Sequence, residues 1–71
     1  MSKYSIFEET INYFRIKFDD SFECLAHYQN GYLLIHYYKN GDILKSYMLI
    51  ASTKKEDINK AIKYYENTIS K

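Results

Sequence analysis

Three predicted strands and two tight turns occupy residues 21–51, which read SFECLAHYQN-GYLLIHYYKN-GDILKSYMLIA. The turns are the two Asn-Gly pairs, Asn30-Gly31 and Asn40-Gly41, and each separates two apolar runs. Asn-Gly in this setting is typical of a type I′ hairpin turn, because both central residues of that turn need a positive φ. The stretch therefore predicts an antiparallel meander with strands at 22–28, 32–38 and 42–51.

Two-residue turns also predict which strand residues lie opposite each other. The first turn places Tyr28 opposite Leu33. The second places Tyr37 opposite Leu44. Because side chains alternate between the two faces of a strand, one face of the predicted sheet contains no charged residue. This predicted core face consists of Phe22, Cys24, Ala26, Tyr28, Leu33, Ile35, Tyr37, Leu44, Met48 and Ile50.

The other face of the predicted sheet mixes ionisable groups with large apolar ones. It consists of Glu23, Leu25, His27, Tyr32, Leu34, His36, Tyr38, Ile43, Lys45, Tyr47 and Leu49. Soluble monomers rarely expose apolar patches beyond a few hundred Å². We therefore expect this face to bind a protein partner, to pair with a second copy of the chain, or to stack nucleobases on its tyrosines. The candidate partner-binding residues are Tyr32, Tyr38, Tyr47, Leu25, Leu34, His27, His36 and Lys45.

The segment before the meander has the pattern of an amphipathic helix. Ser5-Ile6-Phe7-Glu8 has the S-x-x-E form of a helix capping box. The spacing i, i+4, i+7, i+11 of a single helical stripe is met by Phe7, Ile11, Phe14 and Phe18. These features predict a helix over residues 5–17. A second apolar flank of this helix either packs on the other helix or stays exposed, or else covers part of the mixed sheet face. It consists of Ile6, Tyr13 and Ile16.

A second helix is predicted after the meander. Thr53-Lys54-Lys55-Glu56 repeats the capping-box form, and an apolar stripe follows at Ile58, Ala61, Ile62, Tyr65 and Ile69. Both helices need a surface to pack on, and only one sheet face is free of charge, so both are expected on that face. The predicted fold is a single α+β domain over residues 1–71, of order αβββα, in which a three-stranded antiparallel meander carries both helices on one face.

The composition limits the classes of function. The chain has 71 residues, nine of them tyrosines, and a net charge of +1, which neither demands nor excludes nucleic acid. A single cysteine cannot form an internal disulfide, so the cytoplasm is the expected compartment. No apolar run approaches the roughly 18 residues of a membrane span, so no membrane partner is expected. Abundant residues with AT-rich codons indicate a low-GC bacterium or its phage or plasmid.

No pattern of residues points to catalysis or to a cofactor. His27 and His36 share a face on adjacent strands, but a zinc site needs a third or fourth ligand nearby. Cys24 is predicted to point into the core beside Tyr37, where a thiol behaves as a small apolar group. Asp19 and Asp20 are explained by the turn before the meander. We therefore expect a protein that is not an enzyme and that holds neither a metal nor another cofactor.

Lysines at the second helix suggest a phosphate site. The candidates are Lys54, Lys55, Lys60 and Lys63. The first two open the helix, where cations are unfavourable unless an anion binds. Ser52-Thr53-Lys54-Lys55-Glu56 with the later Lys60-Ala61 resembles the start of the last helix in double-stranded-RNA-binding domains, whose element order is also αβββα. That resemblance implies contacts with RNA phosphates. The chain departs from the family in the short Asn30-Gly31 turn, where the family has a long loop, and in Ile58, where a third lysine is expected.

Taken together, these patterns predict a small non-enzymatic module that binds another macromolecule, with a protein as the first choice. The size and the lack of loops are typical of phage- or plasmid-encoded inhibitors, such as anti-CRISPR proteins. One alternative is a nucleic-acid-binding domain, either of the double-stranded-RNA-binding topology or with bases stacked on tyrosines. The other is a homodimeric structural or regulatory protein. The last strand is also suited to pairing with the edge of a partner's sheet.

Overall fold

The computed structural model describes residues 4–69, which form five strands followed by one helix. The strands are β1 (Ser5–Glu9), β2 (Tyr13–Lys17), β3 (Phe22–Gln29), β4 (Tyr32–Lys39) and β5 (Asp42–Ile50). They pair in chain order as one antiparallel sheet. The helix α1 (Lys54–Tyr64) continues into a π-helical turn (Tyr65–Ile69) and packs on one sheet face. Residues 1–3 and 70–71 of the predicted domain lie outside the described residues.

The predicted first helix, residues 5–17, is wrong, and with it the αβββα order. This segment forms β1 and β2, which extend the sheet to five strands. Phe14, Ile16 and Phe18 are buried, whereas the alternate residues Arg15 and Lys17 are not, which is the period of a strand. The segment is also rich in aromatic and β-branched residues, which favour strands, and pairing with β3 outweighs the helical spacing.

The turn between β1 and β2 lies at the centre of the predicted helix. The Oγ1 atom of Thr10 accepts hydrogen bonds from the backbone N–H groups of Asn12 and Tyr13, both at 3.2 Å. The N–H of Thr10 donates to the carbonyl of Tyr13 at 2.8 Å. The side chain of Thr10 thus stabilises a turn here instead of a helix, because short hydroxyl side chains form hydrogen bonds with nearby backbone groups.

Both Asn-Gly pairs form the predicted turns. The φ angles are 52° and 82° at Asn30 and Gly31, and 53° and 87° at Asn40 and Gly41. Asparagine and glycine are the residues that best tolerate these left-handed values. The predicted register of β3 against β4 is confirmed, with Tyr28 opposite its expected partner on β4.

The predicted register of β5 is wrong by one residue. Tyr38 lies opposite Ile43. Its neighbour Tyr37 lies opposite Lys45, which leaves Leu44 as an extra residue in a β-bulge. A bulge of this kind moves every later side chain of the strand to the other face. The residues of β5 that share the face covered by α1 are therefore Lys45, Tyr47 and Leu49, and those on the other face are Ser46, Met48 and Ile50.

The core lies between the sheet and α1. Its sheet residues are Phe14, Ile16, Phe18, Cys24, Ala26, Leu33, Ile35 and Tyr37, and its helical residues are Ile58, Ala61, Ile62 and Tyr65. The ring of Phe18 stacks on that of Tyr65 with centroids 3.9 Å apart. The hydroxyl of Tyr37 donates to the carbonyl of Ala61 at 2.5 Å. Cys24 lies in the core as predicted, and burial raises the pKa of its thiol to about 12.

The start of α1 is fixed by the predicted capping box and by a buried acid. The backbone N–H of Glu56 donates to the Oγ1 of Thr53 at 3.2 Å, which caps the helix. The carboxylate of Asp57 is fully buried and accepts from the hydroxyl of Tyr28 at 2.8 Å and from the backbone N–H of Ser52 at 3.1 Å. These bonds join the helix to the end of β3. Within residues 4–69, no helix has the length and apolar character needed to cross a lipid bilayer.

Candidate functional site

The sheet face opposite α1, called the open face below, has no second layer of structure among residues 4–69. Strand registers place its side chains. It is formed mainly by Glu8, Tyr13, Arg15, Lys17, Glu23, Leu25, His27, Tyr32, Leu34, His36, Tyr38, Ile43, Ser46, Met48 and Ile50. Both layers of a two-layer domain normally bury one face each, so a five-stranded face without cover is the first place to look for a function.

Two leucines and two histidines form the centre of the open face. Leu25 lies opposite His36, and Leu34 lies opposite His27, so the pairs cross diagonally on β3 and β4. The imidazole rings of His27 and His36 stack with centroids 5.5 Å apart and planes 22° apart. The Nδ1 atom of His36 is 2.8 Å from the hydroxyl of Ser46. Partial burial, with the charge of His27 as a second cause, lowers the pKa of His36.

An ion-pair cluster forms the β1–β2 end of the open face. The guanidinium of Arg15 binds Glu8 through Nη1 at 3.3 Å and Glu23 through Nη2 at 2.8 Å. It also lies over the ring of Phe7, 4.7 Å from the centroid. The hydroxyl of Tyr13 donates to the carboxylate of Glu8 at 2.5 Å, and this bond holds the pKa of Glu8 below its usual range. Arg15 thus bridges two carboxylates, and Lys17 lies on the same face opposite Glu23, so two cations and two carboxylates balance at this end.

The β4–β5 end of the open face is apolar and much more exposed. The exposed fractions are 45% for Tyr32, 60% for Ile43, 66% for Met48 and 76% for Ile50. These side chains lie on the last two strands of the sheet, and β5 is an edge strand. From β1 to β5, the open face therefore has three parts. It is charged at the β1–β2 end, half-buried at its centre, and apolar and exposed at the β4–β5 end.

Three shallow depressions follow the open face. One is lined on β2 and β3 by Tyr13, Leu25 and His27. A second lies beside Glu23, Leu25 and Tyr38, and a third beside Tyr32, Leu34 and Met48. Each depression includes one of the two central leucines, so the apolar centre is the floor of the concave parts of this surface.

Six of the eight predicted partner-binding residues come together on this face: Tyr32, Tyr38, Leu25, Leu34, His27 and His36. The other two do not. Tyr47 lies on the α1 face, where its ring is 5.8 Å from that of Tyr37 and 5.0 Å from that of Tyr64. Lys45 shares that face because the bulge at Leu44 shifts both residues.

Sequence reasoning missed the cluster around Arg15. Glu8, Tyr13 and Arg15 were assigned to a helix, which hid the place of Arg15 beside Glu23. The signal was the alternation in Tyr13-Phe14-Arg15-Ile16-Lys17, in which every second residue is apolar and buried. The proposed helical cover of the mixed face is also wrong, because β1 and β2 widen the open face instead of covering it.

The candidate phosphate-binding lysines are not arranged as the resemblance to double-stranded-RNA-binding domains implied. A five-stranded sheet with one helix is a different architecture from αβββα. The ammonium of Lys54 donates to the carbonyl of Thr10 and lies 5.5 Å from the ring centroid of Tyr28, so it fastens α1 to the β1–β2 turn. The other three candidates, exposed along α1, are Lys55, Lys60 and Lys63.

Comparison with known proteins adds no functional assignment. The chain matches no protein-family model, no curated protein and no solved structure. Within the part of the chain that the structure describes, no three His, Cys, Asp or Glu side chains lie close enough together to bind a metal ion. The shape and chemistry of the open face are therefore the evidence that bears on function.

Proposed function

We propose that the open face binds another protein through its centre. The observation that carries this proposal is the five-stranded face without a covering layer, on which Leu25, Leu34 and Tyr38 are held half-buried beside the exposed ring of Tyr32. Covering these side chains removes apolar area from water and stabilises the complex by about 25 cal/mol per Å². A partner protein supplies such a cover.

The composition of the face supports a protein partner. Protein interfaces combine an apolar and aromatic centre, poor in lysine, with a polar rim, and tyrosine and arginine are frequent hot-spot residues. The centre here consists of leucine, tyrosine and histidine, and Arg15 with its two carboxylates forms one rim. A partner that presents an apolar centre and a polar rim toward Glu8, Arg15 and Glu23 is complementary to this arrangement.

The electrostatics argue against nucleic acid as the ligand of this face. Phosphate backbones are bound by cations that are free to replace counterions. Arg15 is already held by two carboxylates, and Lys17 lies opposite Glu23 on the neighbouring strand. Of the three tyrosines that were candidates for base stacking, Tyr47 is packed on the α1 side.

The role we propose is that of a small inhibitor, of the type encoded by phages and plasmids, that occupies a surface of its target in the cytoplasm. A chain of 71 residues that devotes one whole sheet face to contact is suited to this task. Its one cysteine, Cys24, is buried and needs no oxidising compartment. The amino-acid usage supports an origin in a low-GC bacterium or its mobile elements.

The double substitution Leu34→Ser with Tyr38→Ser tests the proposal. Tyr4→Ser is the control, because it makes the same tyrosine-to-serine change at an exposed residue that lies near α1 rather than on the open face. Each version is used as bait in extracts of the cells that carry the gene, and thermal unfolding checks that all three are folded. We expect the wild type and Tyr4→Ser to retain the same partner protein and the double variant to lose at least 10-fold in affinity.

Two results would overturn the proposal. The first is a folded double variant that keeps the partner with unchanged affinity. The second is binding of a fluorescent poly(dT) or double-stranded RNA oligonucleotide by the wild type, lost in the double variant and steeply weakened between low and moderate salt. The second result would assign the open face to nucleic acid instead.

A further inference from the structure

We infer that the free edge of β5 pairs with β5 of a second copy of this chain, which joins the two sheets into one across a two-fold axis. This inference concerns the sheet edge and does not depend on what the centre of the open face binds. It begins from the backbone. Within residues 4–69, β5 is paired with β4 on one side only, and its other side is the end of the described sheet.

The backbone groups that face outward can be identified. The N–H of Ala51 donates to the carbonyl of Gly31 at 3.0 Å, so Ala51 directs its backbone groups toward β4. In an antiparallel ladder this direction alternates from residue to residue. The residues that direct their N–H and C=O groups away from the sheet, in the regular part of the strand beyond the bulge, are therefore Ser46, Met48 and Ile50.

One antiparallel register uses all three outward residues of both copies. It places Met48 opposite Met48 of the second copy and Ser46 opposite Ile50 of the second copy. This register forms about six new backbone hydrogen bonds, two for each outward-facing pair. Opposed residues of the two copies then project their side chains to the same face of the joined sheet, as the alternation of side chains along a strand requires. The edge is self-complementary in its hydrogen bonding.

The side chains of this edge also suit a second copy. Met48 and Ile50 are 66% and 76% exposed, and in this register each gains a neighbour across the axis. Lys45 falls opposite Ala51 of the second copy. The two Lys45 side chains then stand about 20 Å apart, at opposite ends of the new ladder. No like charges oppose each other, so the pairing has no electrostatic penalty.

The other edge of the sheet explains why the partner is β5 itself. β1 has five residues, an irregularity between Ile6 and Glu8, and the acidic pair Glu8-Glu9, which are devices that discourage pairing. β5 has nine residues, and its stretch from Ser46 to Ile50 carries no charge and no proline. Pairing of β5 with β1 would extend head to tail without limit, whereas β5 with β5 closes after two copies.

The two-fold axis of this dimer runs perpendicular to the sheet. Both open faces then lie on the same side of one continuous sheet, and both α1 helices lie on the other. A strand-edge contact is smaller than the standard interface of about 800 Å² per partner, so we expect a dissociation constant in the micromolar range. The dimer presents two copies of the open face in one plane.

Sedimentation equilibrium across a concentration series from micromolar to millimolar tests the inference on three variants. Met48→Pro removes an outward N–H that an edge strand can lose without unfolding. Met48→Val is the matched control, because it keeps the N–H. We expect the wild type and Met48→Val to dimerise and Met48→Pro to dimerise at least 10-fold more weakly. The open-face variant Leu34→Ser with Tyr38→Ser should dimerise as the wild type does, which separates this inference from the proposed function.

A second measurement covers the case in which Met48→Pro does not fold. Amide hydrogen exchange of the wild type, followed residue by residue, should show slower exchange at Ser46, Met48 and Ile50 as the protein concentration rises, with no change at Glu8 or Glu9 on the other edge. A wild type that stays monomeric at millimolar concentration would overturn the inference. So would a folded Met48→Pro that dimerises as tightly as Met48→Val, or exchange at the three amides that is independent of concentration.

Discussion

Neighbouring residues of β4 lie in two different environments. Leu33 and Ile35 are fully buried under α1, whereas Leu34 and His36, which alternate with them, are half-buried on a face that has no cover among residues 4–69. The covered face explains why the chain folds, because it contains the core cluster. The open face contains large apolar side chains that lie outside that cluster. The difference separates residues needed for stability from residues available for binding.

The largest difference is expected between two truncations on the same strand. Ile35→Ala leaves a cavity under α1 and should lower the free energy of unfolding by about 3 kcal/mol. Leu34→Ala, one residue earlier on the open face, should lower it by about 1 kcal/mol, since its site is already in contact with water. Urea unfolding of both variants measures the two values. Equal losses would contradict the division, because they would mean that Leu34 is packed as tightly as Ile35.

An intermediate effect is expected at the junction of the sheet and α1. Asp57→Ala leaves the hydroxyl of Tyr28 and the backbone N–H of Ser52 without their acceptor in a buried site, which should cost about 2 kcal/mol. Glu56→Ala, the exposed neighbour in the same helical turn, should cost clearly less, since it removes only the surface hydrogen bonds from Ser52 and Thr53. Thermal unfolding compares the pair. A larger loss from Glu56→Ala would show that the cap, not the buried acid, holds the helix on the sheet.

The smallest effect is expected from the histidines of the open face. The pKa of His36 is lowered in the folded protein, so the unfolded chain binds a proton more readily. The contribution of His36 to the free energy of unfolding is therefore fully present above the unfolded pKa of about 6.5. It is lost as the pH falls from that value through the lower pKa of the folded state. NMR titration of the ring should give a pKa below 6.5 for His36, and His36→Gln should reduce the loss of stability between pH 7 and 5. A pKa at or above 6.5 would contradict the burial of this ring.

The sequence predicted the covered face well where turn chemistry controlled it. Asn30-Gly31 imposes one turn geometry, so the partners across β3 and β4 followed at once, and Cys24 was correctly placed in the core. After Asn40-Gly41 the same reasoning was wrong, because Ile43 and Leu44 are both apolar and either can begin the alternation. A bulge whose position depends on tertiary packing has no signature in the neighbouring residues, so local sequence patterns do not predict it.

The segment 5–17 was mispredicted for a related reason. Phe14 and Phe18 satisfy a helical spacing and an alternating one at the same time, and only pairing with β3 decides between them. Because of this error, the prediction did not place Arg15 and its carboxylates on the open face. The central leucines and histidines of that face were still predicted correctly. Local patterns predicted the part of the candidate site that lies between two well-defined turns and missed the part that depends on a distant strand.

The position of α1 in the chain has a consequence for synthesis. All five strands precede it, and each pairs with its neighbour in sequence, so the sheet can form from local contacts as the chain is made. Until residues 54–64 leave the ribosome, however, both faces of that sheet are open to water. During this interval Tyr37 and Ile35 are as exposed to water as the residues of the open face. The nascent chain is thus at greatest risk of aggregation just before its last helix emerges.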